Sequence, residues 1–311
     1  MPIRLETQIA RRSVAWYRSH RRLLPWRETR DPYRIWISEI MLQQTQVATV
    51  IPYYHRFLDR FPDPRTLANA TEDEVFKLWA GLGYYRRARQ LHAAAKQIVA
   101  LHSGQFPRNL DAVLALPGVG RYTAQAILSF AHDDKLGIVE ANTQRLYARL
   151  LYLTDPLPWS TSQKQLWDFA ERIVPRKGCG EFNQAMMEIG SQLCTPRNPN
   201  CAECPLLPLC PTGERQHTDR VPAPKDKKII TPLTEAAILV RNSSAQWLVR
   251  RCKSGERWAG LWDFPRIDVS DCDGELGRND KIQRAMRDEF GVKGERPTPS
   301  SPPSAARRRG S

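Results

Sequence analysis

Residues Leu116 to Arg145 read LPGVGRYTAQAILSFAHDDKLGIVEANTQR, and this stretch decides the fold. Pro117, Gly118 and Gly120 interrupt a helix, because proline lacks an amide proton and glycine permits positive φ. An apolar run precedes them, and a helical pattern follows from Arg121 onward. The stretch therefore predicts a helix, a tight hairpin and a second helix whose free amides face outward. Such amides can bind a phosphate anion, and an ordinary helix–helix turn is the alternative.

The charge of the chain indicates a polyanionic partner. The 311 residues carry a net charge of +14, with an isoelectric point near 9.7. A protein this basic is a candidate for nucleic-acid binding, and a merely solvated basic surface is the alternative. The length predicts two or three domains. Because no apolar run could span a membrane and the N-terminus lacks signal-peptide character, we expect an intracellular, cytoplasmic protein.

A second segment places a carboxylate and two amides on an otherwise apolar helix. Asp31-Pro32 predicts the helix start, and the helix is expected to continue through WISEIMLQQTQVATVI. Glu39, Gln43 and Gln46 share one face of it. Unpaired buried polar groups are costly, so a functional reason is a pocket that reads and protonates a base. A solvated stripe is the alternative.

The run GLGYYRRAR, residues 81–89, combines a glycine turn with two aromatic rings and three arginines. Aromatic and arginine side chains beside a turn suit a nucleic-acid backbone and a stacked or wedged base. We therefore expect a DNA contact here. Packing of one tyrosine in the core is the alternative.

Four of the seven cysteines follow the spacing Cys194-x6-Cys201-x2-Cys204-x5-Cys210. In a reducing compartment, clustered cysteines indicate a metal site rather than disulfides. Four thiolates in one short loop can surround one metal centre. The Cys201-x2-Cys204 pair alone would also fit zinc.

Together these motifs resemble the helix-hairpin-helix DNA glycosylase superfamily, and most closely its MutY-type adenine DNA glycosylases. The resemblance is dense from Leu5 to Pro211, and the cysteine spacing is that of the [4Fe–4S] loop in the endonuclease III and MutY families. It implies a mostly α, two-lobed fold. A six-helix barrel with the hairpin would occupy residues 24–134, and an iron–sulfur cluster domain would combine residues 1–23 with 135–220.

The C-terminal part resembles only the beginning of a Nudix-like domain, which MutY proteins use to recognise 8-oxoguanine. Residues 221–231 are rich in proline and lysine and predict a linker. Two strands and a helix are expected in residues 232–294, as an incomplete α+β segment. Ala285 stands where a Nudix hydrolase has a metal-binding glutamate, so no such hydrolase is expected. Residues 295–311 are of low complexity and predict a disordered tail.

The resemblance also implies catalytic roles. Glu39 would be the general acid that protonates adenine N7, with a pKa raised by its apolar surroundings. Glu140 stands where the family has aspartate, and it would stay ionised to stabilise an oxocarbenium-like sugar. An N-cap or an ion pair with Arg145 is the alternative role for Glu140. Tyr122 would support Glu140, and it replaces the lysine of strand-cleaving members, which predicts a monofunctional enzyme.

Further residues would contact the DNA and the base, which must leave the helix before it can react. The residues implied for DNA contact are Gln43, Thr45, Tyr84, Gly118, Val119 and Gly120. The residues implied for contact with the flipped adenine are Trp26, Arg27, Asn142 and Gln184.

The sequence therefore predicts a monomeric glycosylase with a [4Fe–4S] cluster that excises adenine opposite 8-oxoguanine or guanine in double-stranded DNA. One alternative is a glycosylase of altered base choice, for example for thymine in T·G mispairs. Glu140 and the short C-terminal part favour that alternative. A second alternative is a non-catalytic iron–sulfur protein that binds DNA, and Glu39 argues against it.

Overall fold

A computed structural model describes residues 5–154, 160–223, 231–253, 255–256, 258–292 and 306–307. The chain forms two compact units, Met1–Lys225 and Asp226–Ser311. The described part of the first unit is mainly helical, whereas that of the second combines short strands with one long helix. No helix in these described ranges combines the length and the apolar character needed to cross a lipid bilayer.

The helices of the first unit follow one another through short loops. In chain order they are α1 (Leu5–His20), α2 (Pro32–Leu42), α3 (Val47–Arg60), α4 (Pro64–Asn69), α5 (Glu72–Trp79), α6 (Tyr85–His102), α7 (Leu110–Leu114), α8 (Arg121–His132), α9 (Ala141–Leu150), α10 (Ser160–Ile173), α11 (Cys179–Gln192) and α12 (Pro211–Glu214). Short 3-10 turns at Pro25–Arg27 and Leu207–Leu209 interrupt the loops.

Local sequence explains several helix starts. Asp31 caps α2 by accepting the amide of Tyr33 at 2.9 Å, with Pro32 at the first helical position, as predicted. Thr71 and Glu74 form a reciprocal capping box at the start of α5. These side chains satisfy amides that the first helical turn leaves without partners.

The segment after Glu39 differs from its prediction. The continuous helix expected through WISEIMLQQTQVATVI is wrong, because α2 ends at Leu42 and α3 begins only at Val47. Between them Gln44 adopts a left-handed φ of 58°. Gln43 and Gln46 therefore lie at the ends of two helices rather than on one helical face with Glu39.

Arg87 explains this break. Its side chain is buried, and its guanidinium donates to the carbonyl oxygens of Ile40 and Met41 at 3.0 and 2.9 Å and also to that of Gln43. A continuing helix would pair these carbonyls internally. Arg87 thus caps α2 from α6. Within GLGYYRRAR, Arg87 is thus buried and serves the fold, whereas Arg86 is exposed.

Two groups of helices build the first unit. Helices α2 to α8 form one group, in which α4 packs on α6, α2 on α3 and α8, and α7 on α8. Helix α1 packs on α10 and α11, and its Ile9 shares a core with residues between Val139 and Leu206. Helix α11 also contacts α8, which joins the two groups. The predicted domain boundaries at residues 23 and 134 stay predictions.

The second unit contains short antiparallel pairs and one helix, α13 (Gly274–Phe290). Its strands are β1 (Pro232–Leu233), β2 (Glu235–Ala237), β3 (Arg250–Arg251), β4 (Trp262–Asp263), β5 (Arg266–Asp268) and β6 (Ala306–Arg307). The pairs are β1 with β6, β2 with β5 and β3 with β4. A small core of Ile267, Val269, Ile282 and Met286 joins β5 to α13.

Parts of two predictions fall outside the described residues. The structure does not describe residues 224–230 of the predicted linker. It also does not describe most of the predicted tail, residues 295–311. Within the tail, Ala306 and Arg307 pair with β1, and the predicted disorder of the tail stays a prediction.

Candidate active site

A cavity of about 500 Å³ opens among α2, α8, α11 and the 3-10 turn before α2. It brings together all seven residues that the sequence implied for catalysis and base contact, and two of those implied for DNA contact, although they lie far apart along the chain. The predicted residues that line it are Trp26, Arg27, Glu39, Gln43, Thr45, Tyr122, Glu140, Asn142 and Gln184.

Glu39 is the buried acid of this cavity, with 4% of its surface exposed. The pKa of its carboxyl is raised to about 7, chiefly by burial; the hydrogen bond from Tyr122 opposes the rise, and the neighbouring Glu140 adds to it. A carboxyl with a pKa near 7 is substantially protonated at neutral pH and can donate a proton. The raised pKa predicted for Glu39 is therefore supported by its surroundings.

Tyr122 supports a different carboxylate from the one expected. Its hydroxyl donates to Glu39 Oε2 at 2.7 Å, so the prediction that it supports Glu140 is wrong. The reason is that α8 packs directly on α2, which places the first turn of α8 beside Glu39. Burial raises the pKa of Tyr122 well above its ordinary value, so the hydroxyl stays a neutral donor.

Glu140 caps α9 while it lines the cavity. Its carboxylate accepts the amides of Asn142 and Thr143, each at 2.8 Å, and its own amide donates to Thr143 Oγ1 at 2.9 Å. The N-cap role is therefore present, and it leaves the side chain facing the same space as Glu39. Burial raises the pKa of Glu140, although the two amides oppose the rise.

Arg145 connects the Glu140 cap to the cysteine loop instead of pairing with Glu140. Its guanidinium donates to Asn142 Oδ1 at 3.0 Å and to the carbonyl oxygens of Gly190 and Cys194, both at 2.6 Å. The cap of α9, the end of α11 and the first cysteine of the loop are thus joined by one side chain.

Glu188 is a cavity residue that the sequence reasoning missed. Its carboxylate is fully buried on α11 and accepts from Arg22 and Arg27, which lie more than 160 residues away in the chain. Burial alone would raise the pKa of Glu188, but these arginines outweigh it and bring the pKa to about 2. The one local signal is that Glu188 interrupts the apolar run AMMEIG.

Trp26 and Gln184 form fixed parts of the cavity wall. The indole of Trp26 is buried and meets Tyr54 edge to face, with ring centres 5.5 Å apart. Gln184 Oε1 accepts the hydroxyl of Tyr17 at 2.6 Å. That bond fixes the orientation of the amide and leaves its NH₂ group as the remaining donor.

The hairpin between α7 and α8 has the predicted form and lies outside the cavity lining. Gly118 has φ of 78°, and a Cβ there would approach Gln90 Cβ to 2.8 Å, so a side chain is excluded. The amide of Val119 donates to the Leu116 carbonyl at 3.1 Å, so the expectation that it binds a phosphate is wrong. Gly118 and Gly120 are exposed, and no acceptor in the described part of the chain receives their amides.

Tyr84 is a second predicted contact that lies outside the cavity lining. It begins α6 in a left-handed conformation, with φ of 50°, and 60% of its surface is exposed. The alternative of a core tyrosine is therefore wrong for Tyr84. The buried Arg87 guanidinium lies 5.5 Å from the centre of its ring.

The four predicted cysteines line a small separate cavity together with Arg149 and leucine side chains. Burial, reinforced by the other three thiols, raises the pKa of Cys204 to about 12. The buried Arg149 donates to Cys194 Sγ at 3.2 Å. Such thiols become ligands when iron compensates the charge.

The cysteine cavity fits a cluster better than one ion. No group of three or more His, Cys, Asp or Glu side chains within the described ranges is arranged to hold a single metal ion. Gly213 borders the cavity, and a Cβ there would stand 3.7 Å from Cys210 Sγ. Four cysteine thiols that line one cavity within a short loop are the donor set that a [4Fe–4S] cluster requires.

Matches to family models agree with both sites. Residues 37–172 match the HhH-GPD superfamily of base excision DNA repair proteins. Residues 194–210 match the iron–sulfur binding domain of endonuclease III. The predicted mostly α glycosylase fold and the predicted [4Fe–4S] cofactor are confirmed, and the cysteine loop is the cluster-binding segment.

Curated relatives share most of this chain. The adenine DNA glycosylase of Buchnera aphidicola is 36% identical over 255 residues, which cover 82% of this chain and 73% of that protein. The human adenine DNA glycosylase is 42% identical over 81% of this chain and 48% of that protein. The chain thus spans about half the length of this mammalian relative.

Solved structures share the fold of the first unit. A thermostable thymine-DNA glycosylase is 32% identical, with a TM-score of 0.63 over 68% of this chain and 97% of that one. A non-covalent endonuclease III–DNA complex gives a TM-score of 0.58 at 22% identity, covering 69% of this chain. The second likeness concerns the fold alone.

Proposed function

Since this chain belongs to the family of adenine DNA glycosylases, we propose that it hydrolyses the bond between adenine and deoxyribose in double-stranded DNA. The observation that carries this proposal is Glu39, a buried carboxyl with a pKa of about 7 that faces one cavity with Glu140. Removal of a purine needs a proton for the base and a negative charge for the sugar, and two carboxyls in different surroundings supply both.

The proposed reaction assigns one step to each group. Glu39 gives its proton to N7 of adenine while the bond between N9 and C1′ of the sugar breaks. Glu140 stabilises the positive charge that develops on the sugar, and a water molecule then adds to C1′ and releases its proton to a carboxylate. Tyr122 holds Glu39 by its 2.7 Å hydrogen bond. The absence of an amine at position 122 supports hydrolysis without strand cleavage.

We propose that the cavity receives an adenine that has left the duplex. Its volume of about 500 Å³ lies in the range of small-molecule sites. The exposed ring of Tyr84 suits a wedge that fills the gap in the base stack. The outward amides of Gly118 and Gly120 suit a backbone phosphate, and the net charge of +14 favours DNA in general.

The opposite base and the oligomeric state belong to the same proposal. We propose 8-oxoguanine or guanine opposite the adenine, and a protein that acts as a monomer. When bound, the [4Fe–4S] cluster links residues 194–210 through its four thiolates, and Arg145 joins this loop to the cap that holds Glu140.

Single-turnover excision from four duplexes tests the proposal. They carry adenine opposite 8-oxoguanine, guanine or cytosine, or a T·G mispair. We expect rapid adenine loss opposite 8-oxoguanine and guanine, and a rate about 10² to 10⁴-fold lower for the Glu39→Gln variant. The exposed Glu28→Gln is the matched control and should retain the wild-type rate.

Two results would contradict the proposal. Tight DNA binding without excision of any base would refute an enzymatic role and favour a non-catalytic DNA-binding protein. Thymine loss from T·G with no adenine loss would favour the second candidate, which is supported by the 32% identity to a thymine-DNA glycosylase.

A further inference from the structure

We infer that Glu188 is a positioning residue for the proposed reaction: it holds the Arg27 guanidinium in the cavity wall and cancels part of the positive charge beside Glu39. This inference rests on the proposed function. It concerns a residue that does not itself contact the base, so its role must be argued from what its carboxylate binds.

The hydrogen bonds of Glu188 leave little capacity for a ligand. Oε1 accepts the Arg22 amide at 3.0 Å, Arg22 Nε at 2.8 Å and Gln192 Nε2 at 2.5 Å. Oε2 accepts Arg22 Nη2 at 2.8 Å and Arg27 Nη2 at 2.6 Å. A carboxylate offers about four lone-pair positions, so five donors saturate it. Glu188 can therefore influence a bound base only through its partners.

Arg27 is the partner that reaches the cavity. Its side chain is 10% exposed, and its Nη1 donates to the Arg22 carbonyl at 3.1 Å. Its guanidinium also lies 5.4 Å from the centre of the Tyr17 ring. These contacts fix the plane of the guanidinium and use two of its five N–H donors, which leaves others for a base in the cavity.

The charge of Glu188 acts on Glu39 through the same arginine. The groups that face the Glu39 side of the cavity are Tyr122 from α8, Glu140 from the cap of α9, Arg22 and Arg27 from the chain before α2, and Glu188 from α11. Arg27 favours the ionised form of Glu39 and lowers its pKa. Without Glu188, the Arg27 guanidinium would act on Glu39 without its paired anion, and Glu39 would lose its proton at a lower pH.

A second ion pair on α11 provides a matched control for a purely structural role. Glu181 accepts Arg18 Nε at 2.9 Å and Arg18 Nη2 at 2.8 Å, and so also ties α11 to α1. It lies about two turns before Glu188 and does not line the base cavity. If Glu188 only fastened α11 to the N-terminal part of the chain, loss of either carboxylate would have the same kind of effect.

The test is the pH dependence of single-turnover adenine excision from an A·8-oxoguanine duplex by the holoprotein. We expect Glu188→Gln to move the high-pH limb of the profile to lower pH by about one unit, which means about tenfold slower excision at pH 8. We expect Glu181→Gln to leave the position of this limb unchanged. In an Arg27→Gln background, Glu188→Gln should shift the limb much less.

The result that overturns the inference is a Glu188→Gln profile whose high-pH limb coincides with that of the wild type. If Glu188→Gln fails to fold, the double variant with Arg22→Gln removes one guanidinium together with the anion and is assayed in the same way. An unshifted limb there also overturns the inference. The wild-type assay distinguishes failure of the proposed function from failure of the inference about Glu188. If the wild type excises no adenine, the proposed function itself is refuted.

Discussion

The buried carboxyl of Glu39 should cost the protein stability at the pH where it works. Its pKa rises from 4.5 to about 7 on folding. Between these values the folded chain binds the proton more tightly than the unfolded chain, so the free energy of unfolding falls as pH rises. A shift of about 2.5 units corresponds to about 3 kcal/mol, reached above pH 7.

Glu39→Gln isolates this cost. The amide has the same shape, keeps an oxygen that can accept the Tyr122 hydroxyl, and cannot ionise. We therefore expect Glu39→Gln to be more stable than the wild type by about 3 kcal/mol at pH 8, and by less than about 1 kcal/mol at pH 5. Excision should meanwhile fall by about 10² to 10⁴-fold, because the proton donor is lost.

Urea denaturation of the holoprotein at pH 5 and pH 8, followed by circular dichroism, measures the difference. The exposed Glu28→Gln serves as the control, and its stability should follow that of the wild type at both pH values. A Glu39→Gln variant that is less stable than the wild type at pH 8 would refute the reasoning. So would a gain that is equal at both pH values, since a buried charge would then not be its cause.

Three further variants test other parts of the structure. Arg87→Met should lower the free energy of unfolding by about 2 to 4 kcal/mol, because it leaves the buried carbonyls at the end of α2 without donors. The control Arg86→Met, at the exposed neighbouring position, should change the free energy of unfolding by less than about 0.5 kcal/mol. Equal stabilities of the two variants would contradict the capping role of Arg87. Tyr84→Ala should weaken binding to an A·8-oxoguanine duplex by about 10 to 100-fold in a gel-shift assay without changing thermal stability, and unchanged binding would exclude the wedge. Cys204→Ser should lose the iron–sulfur absorbance near 410 nm and part of its bound iron. The control Cys272→Ser, outside the cluster loop, should keep both the absorbance and the iron. Full absorbance in Cys204→Ser would refute the assignment of Cys204 as a ligand.

Features set by neighbouring residues could be predicted from the sequence. Pro117 and Gly118 form the hairpin because their backbone preferences act locally. Asp31 caps α2 for the same reason. The cysteine spacing within residues 194–210 identifies the cluster loop without knowledge of the fold.

Features set by distant residues could not be predicted in this way. The break after α2 depends on Arg87, which lies more than 40 residues further along the chain and reaches the end of α2 only in the folded protein. The partner of Tyr122 depends on how α8 packs against α2. The role of Glu188 could not be predicted because its partners, Arg22 and Arg27, lie beside it only in the folded chain.

The three carboxylates that line the cavity differ in the groups that donate hydrogen bonds to them. This difference supports a distinct proposed role for each carboxylate. Glu39 has one neutral donor, Tyr122, so burial dominates and its pKa rises to about 7. Glu140 accepts hydrogen bonds from two backbone amides, which oppose the effect of burial on its pKa and favour the ionised form that its proposed role requires. Glu188 is surrounded by arginine donors and has a pKa of about 2, so it remains a fixed charge. The three proposed roles, a proton donor, a stabilising anion and an anchoring anion, therefore correspond to differences in burial and in the local hydrogen-bond donors.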